Sequence, residues 1–171
     1  IICATLLTSE EMVISNIPDI IDVNKLINLL SSIGVKVKKI KPNKYSFKAE
    51  KINLKSLSSE KFKTDGKSIR GSIMIVGPLL ARFGIASIPR PGGDKIGRRR
   101  LDTHFGGLIK LGAQFTYDKE SRFYSVKAKK LVGTYILMEE ASVTGTANII
   151  MAASLAKGET IIYNAACEPY I

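Results

Sequence analysis

The sequence predicts an α/β domain whose helices pack together inside and whose sheets lie outside. Two observations support this fold class: a unit of about 78 residues repeats along the chain, and each copy has the pattern helix, strand, helix, strand, strand. Gly34 and Gly112 end the matching helices 78 residues apart, and Lys48-Ala49 recurs as Lys127-Ala128. Because one unit cannot bury its helices alone, neighbouring units must stack their helices against each other.

The first copy covers approximately residues 1–50. Apolar residues at helical spacing precede Gly34, a residue type that commonly ends helices, and lysines alternate with apolar residues in the strands that follow. The predicted elements are a helix through Leu7, a strand over Met12–Ser15, a helix over Ile20–Ser32, and a hairpin that pairs Lys36–Lys41 with Tyr45–Ala49.

The second copy covers approximately residues 68–128, and the third, over 134–171, is incomplete. The third copy is indicated by Leu155–Asn164, which matches Leu7–Asn16 of the first. The elements predicted for both copies are a helix over Ser68–Phe83, a strand over Ile85–Ile88, a helix ending at Leu111, a hairpin that pairs Ala113–Tyr117 with Phe123–Ala128, a strand over Thr134–Met138 and a helix over Ser142–Ala156.

Length and composition fit a globular domain with one sizeable core, since 45% of the 171 residues are apolar. The sequence shows no charged leader before an apolar run and no apolar stretch long enough to cross a bilayer, so we expect neither secretion nor membrane insertion. Cys3 and Cys167 stand at opposite ends without metal-ligand spacing, and we expect both to be reduced, buried thiols.

The net charge of +11 allows two interpretations. Many lysines alternate with apolar residues, which is ordinary solvation of strand faces. A positive field also attracts polyanionic ligands, such as phosphorylated small molecules or nucleic acid. Nucleic acid is the less expected of these, because no nucleic-acid module and no aromatic stacking cluster is recognisable.

One segment has the composition of an active-site loop. It is Gly-rich, carries the acid Asp94 and runs into three arginines before apolar residues of helical spacing begin. Backbone N–H groups at a helix start and guanidinium groups together suit a phosphate or a carboxylate. The alternative is a surface turn before a solvated basic helix, with Asp94 only balancing charge. The segment is Pro91-Gly92-Gly93-Asp94-Lys95-Ile96-Gly97-Arg98-Arg99-Arg100-Leu101-Asp102-Thr103-His104.

Four segments of the chain carry distinctive motifs. They are Ser68-Ile69-Arg70-Gly71-Ser72 leading to Gly77-Pro78-Leu79-Leu80-Ala81-Arg82-Phe83-Gly84, the loop from Pro91 to His104, Ser142-Val143-Thr144-Gly145-Thr146, and Asn164-Ala165-Ala166-Cys167-Glu168-Pro169. In this order and at this approximate spacing, the four signatures resemble those of the enolpyruvyl transferases, in particular the UDP-N-acetylglucosamine 1-carboxyvinyltransferase family. The resemblance covers essentially the whole chain.

The resemblance implies the inside-out α/β barrel of that family. It also implies the family's reaction, in which the enolpyruvyl group of phosphoenolpyruvate moves to the 3′-hydroxyl of UDP-N-acetylglucosamine and phosphate is released, as the first committed step of peptidoglycan synthesis. Such an enzyme is cytoplasmic and needs no metal or organic cofactor. The alternatives are the related shikimate-pathway enolpyruvyl transferase and a non-catalytic basic domain that binds nucleic acid.

The resemblance further implies that residues 1–171 form most of the first of two domains that close on the substrates. The second domain, with a catalytic aspartate and a further arginine, lies outside this sequence, as does a Lys-Asn pair of the phosphoenolpyruvate site. We therefore expect the segment alone to be inactive.

The loop residues take their expected roles from the resemblance. Asp94 stands where most of the family has a cysteine and a minority has aspartate, and its implied role is to protonate the methylene carbon of phosphoenolpyruvate. A thiol or a protonated carboxyl can deliver that proton. Resistance to fosfomycin, which alkylates the cysteine, is then expected. Arg99 matches the arginine that holds the phosphate, and Arg100 replaces a usual proline.

The resemblance assigns binding of the nucleotide sugar to two further segments, one at Arg70 and one that begins near Ser142. Arg70 matches a diphosphate-side arginine, with a structural salt bridge as the alternative. Ser142 opens a helix whose N–H groups suit a phosphate or a uracil edge, although a simple N-cap is also consistent. His104 is expected to be a packing residue, and Glu168 to be a supporting acid. The expected substrate-binding residues are Arg70, Arg99, Arg100, Leu101, Asp102, Thr103, Glu140, Ala141, Ser142, Val143 and Thr144.

Overall fold

A computed structural model describes residues 1–92 and 101–171 of the chain, so Asp94, Arg99 and Arg100 lie outside the described residues. Both described ranges contain helices and strands. In chain order the elements are the 3₁₀ helix Ile2–Leu7, β1 (Glu11–Ile14), α1 (Ile21–Ser32), β2 (Lys36–Lys41), β3 (Lys44–Lys48), the 3₁₀ helix Leu54–Ser58, α2 (Glu60–Lys67), the 3₁₀ helix Arg70–Ile75, α3 (Val76–Phe83), β4 (Ile85–Pro89), α4 (Asp102–Lys110), β5 (Gln114–Asp118), β6 (Phe123–Lys127), β7 (Tyr135–Leu137), α5 (Val143–Ala153) and β8 (Ile161–Tyr163).

Two of the sheets share one topology. The strand orders are β1-β3-β2 and β4-β6-β5, so the last strand of each copy lies in the middle and pairs antiparallel with both neighbours. β7 and β8 form a separate parallel pair. The strands predicted from alternation are confirmed, and each predicted end differs from the observed one by at most one residue.

The turn that follows the longer helix is the same in both copies. Gly34 and Gly112 have φ angles of 103° and 101°, in the left-handed region that glycine adopts without steric penalty. In both turns the N–H groups of the glycine and of the next residue return to carbonyls of the last helical turn, at 2.9–3.1 Å. Asn16 and Asn164 are also left-handed, with φ of 60° and 55°, just after the matching strands β1 and β8.

The prediction of one continuous helix over Ser68–Phe83 is wrong. The segment divides into the 3₁₀ helix Arg70–Ile75 and α3. At the junction, the Asn148 side chain replaces the backbone bond that an α-helix would make between residues 73 and 77. Its Nδ2 donates to the Ile73 carbonyl at 3.1 Å, and its Oδ1 accepts from the Gly77 N–H at 2.7 Å. An inserted side chain of this kind is a known cause of helix interruption.

The sequence analysis does not predict the 3₁₀ helix Leu54–Ser58 or α2, because both carry little periodic signal. α2 is short and mostly polar, and Ser59 caps it by accepting from the Phe62 N–H at 3.2 Å. Phe62 is fully buried and anchors the helix. The predicted helix through Leu7 is present as a 3₁₀ helix rather than an α-helix.

The two cysteines lie in different environments. Cys3 is buried, and burial raises the pKa of its thiol to about 12. Cys167 is exposed in the segment after β8, so the expectation that it is buried is wrong. Both are free thiols.

The helices form the centre of the described structure, as predicted. α5 packs against both α3 and α4, while β2 and β5 are largely exposed. The α4–α5 contact is close at Gly107, where a Cβ would lie 2.2 Å from the Ile149 side chain. This close packing sets the position of α4 relative to α5.

Arg82 connects the inner helix α3 to the first copy. Its Nη1 lies 3.1 Å from the Leu6 carbonyl oxygen, 2.8 Å from that of Thr8 and 2.6 Å from that of Ala49. The guanidinium also stacks near the Phe83 ring, 4.9 Å from its centroid. One side chain therefore joins α3, the 3₁₀ helix Ile2–Leu7 and the end of β3.

Candidate active site

The first turn of α4 and the start of α5 meet beside the position where the described chain resumes at residue 101. Thr103 on α4 donates from Oγ1 to Glu140 Oε1 at 3.4 Å. One residue further along α4, His104 Nε2 lies 3.2 Å from the Thr144 hydroxyl on α5. The structure thus brings together residues of two separate sequence signatures.

Ser142 is the N-cap of α5. Its hydroxyl accepts from the Gly145 N–H at 3.2 Å, and its carbonyl accepts from the Thr146 N–H at 2.8 Å. The N–H groups of Val143 and Thr144 lie in the first turn, where a helix supplies no partner of its own. The arrangement suits an anionic oxygen, and it retains the N-cap role that the sequence also allowed.

His104 is buried, with only 2% of its surface exposed. Burial, and secondarily the positive charge of Arg70, lower its pKa to about 4. The ring is therefore neutral near pH 7. The positive charge of Arg70, the diphosphate-side candidate, therefore acts on a residue of the α4–α5 junction.

Tyr124 on β6 lies on another side of this region. Burial raises the pKa of its hydroxyl, Tyr117 and Asp102 raise it further, and the positive charges of Arg90 and Arg70 oppose the rise. Its ring packs at a tilt against that of Phe105 of α4, with 5.1 Å between the centroids. A phenol and two arginines therefore share the neighbourhood of Asp102.

Asn148 connects the candidate site to the core through hydrogen bonds. It is fully buried on α5, and besides its two backbone bonds at residues 73 and 77 its Nδ2 lies 3.1 Å from His104 Nδ1. This single amide contacts α3, α4 and the 3₁₀ helix that begins at Arg70. It fixes the position of the His104 ring relative to α5.

The remaining candidates differ in exposure. Leu101 is the N-cap of α4 and its side chain lies in the core, so only its backbone can face a ligand. Asp102, Glu140 and Ala141 are exposed. Glu168 has a buried Oε2 to which no residue within 1–92 or 101–171 gives a hydrogen bond. Asp94, Arg99 and Arg100 lie outside the described ranges.

Two residues of this region, Tyr124 and Asn148, are not among the residues predicted from the sequence. Tyr124 carries no local signal, because its neighbours Phe105, Arg70 and Arg90 come from other parts of the chain. Asn148 left a signal, because it is a polar residue within the apolar run Ala147-Asn148-Ile149-Ile150 of a predicted helix. Such a residue has to find partners when it is buried.

Within residues 1–92 and 101–171, no group of three or more His, Cys, Asp or Glu side chains could hold a metal ion. Across the same residues, no helix is both long enough and apolar enough to cross a membrane.

Comparison with known proteins identifies relatives along the entire chain. A 171-residue match at 60% identity covers all of this chain and 39% of a Bacteroides fragilis protein named UDP-N-acetylglucosamine 1-carboxyvinyltransferase. The protein of that name from Bacteroides thetaiotaomicron is 61% identical with the same coverage, and that from Borreliella burgdorferi is 46% identical over 99% of this chain and 38% of its own. The chain thus spans about 39% of the length of its curated relatives.

Solved structures match the fold. The enolpyruvyl transferase NikO from Streptomyces tendae aligns with a TM-score of 0.78 at 15% identity, over 98% of this chain and 38% of that one. EPSP synthase from Acinetobacter baumannii aligns with a TM-score of 0.68 at 16% identity, over 94% and 37%. The family described as EPSP synthase (3-phosphoshikimate 1-carboxyvinyltransferase) matches residues 1–171. The chain therefore belongs to this family and has the α/β fold of the enolpyruvyl transferases.

Proposed function

We propose that this chain forms part of a UDP-N-acetylglucosamine 1-carboxyvinyltransferase. The reaction transfers the enolpyruvyl group of phosphoenolpyruvate to the 3′-hydroxyl of UDP-N-acetylglucosamine and releases phosphate, as the first committed step of peptidoglycan synthesis. The observation that carries the proposal is the junction of α4 and α5, where Thr103, Glu140 and Thr144 meet above the buried His104. The names of the relatives support the same choice of acceptor.

The nucleotide sugar binds at this junction in our proposal. The first-turn N–H groups of α5 donate to a phosphate oxygen or to an acceptor on the uracil edge, and the charge of Arg70 adds to the positive field there. Charge-assisted hydrogen bonds to a diphosphate are stronger than neutral ones, so an arginine beside a helix start is a suitable combination. Leu101, Asp102, Ala141 and Val143 complete the nucleotide-sugar side.

The chemistry belongs to the loop that starts at Pro91. Asp94 donates a proton to the methylene carbon of phosphoenolpyruvate while the sugar hydroxyl loses its own proton to a base and adds to the neighbouring carbon. Loss of phosphate from that carbon and of a proton from the new methyl group then restores the double bond of the enolpyruvyl product. Arg99 holds the departing phosphate, and Arg100 adds positive charge at the rim. Nearby arginines lower a carboxyl pKa and desolvation raises it, so Asp94 acts as an acid when the liganded site excludes water. Glu168 has a supporting role.

The complete enzyme needs groups from a second domain. We propose that residues 1–171 supply most of one domain, in units of approximately 1–50, 68–128 and 134–171, and that a second domain of the same protein closes over both substrates. The enzyme works in the cytoplasm, without a metal or an organic cofactor. The segment alone is then inactive, because the closing groups are missing.

Phosphate release by the full-length protein tests the proposal. With phosphoenolpyruvate, UDP-N-acetylglucosamine should be turned over and shikimate 3-phosphate should not. Asp94→Asn is the matched control for non-enzymatic release, since an amide cannot donate the proton. Turnover of shikimate 3-phosphate instead would assign the protein to the shikimate pathway, and salt-sensitive RNA binding without turnover would favour the non-catalytic alternative.

A further inference from the structure

A chain of hydrogen bonds runs from the core to the start of α5. The Gly77 N–H donates to Asn148 Oδ1 at 2.7 Å, and Asn148 Nδ2 lies 3.1 Å from His104 Nδ1. His104 Nε2 lies 3.2 Å from the Thr144 hydroxyl. Asn148 and His104 are buried, whereas Thr144 is exposed at the candidate substrate site.

The donor and acceptor of each bond follow from the two backbone groups that Asn148 contacts in the core, the Gly77 N–H and the Ile73 carbonyl. A backbone N–H can only donate, so the atom of Asn148 that faces Gly77 is the oxygen. The Ile73 carbonyl can only accept, so the atom that faces it is the NH₂ group. Both assignments agree, which fixes the orientation of the amide.

The tautomer of His104 is then determined. The NH₂ group of Asn148 faces Nδ1, which must therefore carry a lone pair and accept. A neutral imidazole with an unprotonated Nδ1 carries its hydrogen on Nε2. That hydrogen points at Thr144 Oγ1, so the threonine oxygen accepts, and its own hydrogen is left to donate elsewhere.

We propose that His104 is a positioning residue that fixes the Thr144 hydroxyl as a hydrogen-bond donor to an acceptor oxygen of the nucleotide sugar. The inference rests on the proposed function for the identity of the ligand. An oxygen of the diphosphate or of the uracil ring has the required chemistry. His104 does not contact the substrate itself and acts only through Thr144.

A double-mutant cycle on the full-length protein tests this role, with the dissociation constant for UDP-N-acetylglucosamine measured by calorimetry. Thr144→Val should weaken binding roughly 5–10-fold in the wild-type background, since it removes one donor. In the His104→Met background the same change should cost less than about twofold, because the hydroxyl is no longer oriented. Thr144→Ser should retain most of the affinity, and Thr116→Val on exposed β5 is the matched control.

Steady-state kinetics give a second readout. The KM for UDP-N-acetylglucosamine should rise in Thr144→Val while the KM for phosphoenolpyruvate stays within about twofold. The positioning role of His104 would be overturned if Thr144→Val cost the same affinity in both backgrounds. It would also be overturned if the Thr144→Val protein bound with unchanged affinity. If His104→Met does not fold, the contrast between valine and serine at residue 144 decides. A wild-type protein that binds no UDP-N-acetylglucosamine would overturn the proposed function itself, and with it the positioning role of His104.

Discussion

At His104, burial and the Arg70 charge act in the same direction, and both disfavour the protonated ring. An ordinary imidazole pKa of 6.5 falls to about 4 in the folded protein. Between these two values the unfolded chain binds a proton that the folded chain does not. The stability that the neutral ring contributes is therefore complete above the unfolded pKa and is lost as the pH falls.

We predict that the free energy of unfolding decreases between about pH 6.5 and pH 4, by up to about 3 kcal/mol from this group. Below about pH 4 both states are protonated and the contribution levels off. Urea unfolding at several pH values measures it, with His104→Gln as the comparison, because glutamine cannot titrate. A variant that shows the same pH dependence as the wild type would show that other groups cause it.

The second residue-scale prediction concerns Asp94 and fosfomycin. A carboxylate is a much poorer nucleophile toward an epoxide than a thiolate, so the wild-type enzyme should resist the drug. Asp94→Cys should keep activity and become sensitive, because a thiol can both donate the proton and be alkylated. Asp94→Asn should lower kcat roughly 10²–10⁴-fold.

Time-dependent inactivation and mass spectrometry check the adduct. Cys167 is exposed, so Cys167→Ser in the Asp94→Cys background is the matched control and should stay sensitive. Rapid covalent labelling of the wild type at Asp94, or full activity of Asp94→Asn, would remove Asp94 from the role of proton donor.

Among the elements, the junction between α3 and α5 leaves almost no space. A Cβ on Gly77 would lie 2.3 Å from the Asn148 carbonyl oxygen and 2.4 Å from its Oδ1. The nearest of these atoms belongs to the backbone, so the two helices would have to separate. The glycine is therefore required by packing rather than by its own backbone angle.

Gly77→Ala should destabilise the protein by about 1–3 kcal/mol, because it overpacks this contact. Gly106 is the matched control, since it lies within α4 and a Cβ there would meet nothing within 4 Å. Gly106→Ala should stabilise by about 0.5–1 kcal/mol through helix propensity. Thermal denaturation of the two variants should therefore shift in opposite directions, and a neutral Gly77→Ala would contradict the close contact.

The same elements show what the sequence could predict. The strands and the Gly34 and Gly112 turns follow from alternation and local backbone chemistry, which are visible in a short window. The interruption before α3 depends on Asn148, more than 70 residues away, and no local pattern reports it. For the candidate site, too, the sequence predicts one part and not the other. Its signatures are recognisable in the sequence. The contact of Thr144 with His104, and the charged neighbours of Tyr124, arise only from the packing of distant segments.

For the molecule as a whole, Arg82 provides a cross-connection between the inner helices and the first sheet. Its three carbonyl partners belong to residues 6, 8 and 49, so they come from two separate stretches of chain. Hydrogen bonds from a charged donor to carbonyls that are shielded from water contribute more than exposed ones.

Arg82→Met should lower the free energy of unfolding by about 2–4 kcal/mol, because it leaves carbonyls without their donor. Lysine at this position should recover only part of the loss, since an ammonium cannot reproduce the guanidinium geometry. Arg122 is exposed after β5, and Arg122→Met should change stability by less than about 0.5 kcal/mol. Hydrogen exchange in the segment 2–8 should accelerate in Arg82→Met, and unchanged protection there would contradict the connection.

A left-handed glycine ends the longer helix in two copies of the unit, and a left-handed asparagine follows the matching strands β1 and β8. Few residue types tolerate that backbone geometry, so these positions accept few substitutions. Outward-facing positions differ between the copies: Lys36 and Lys38 of the first hairpin correspond to Gln114 and Thr116 of the second. The spacing of these turn residues therefore defines the unit better than the composition of the strands between them.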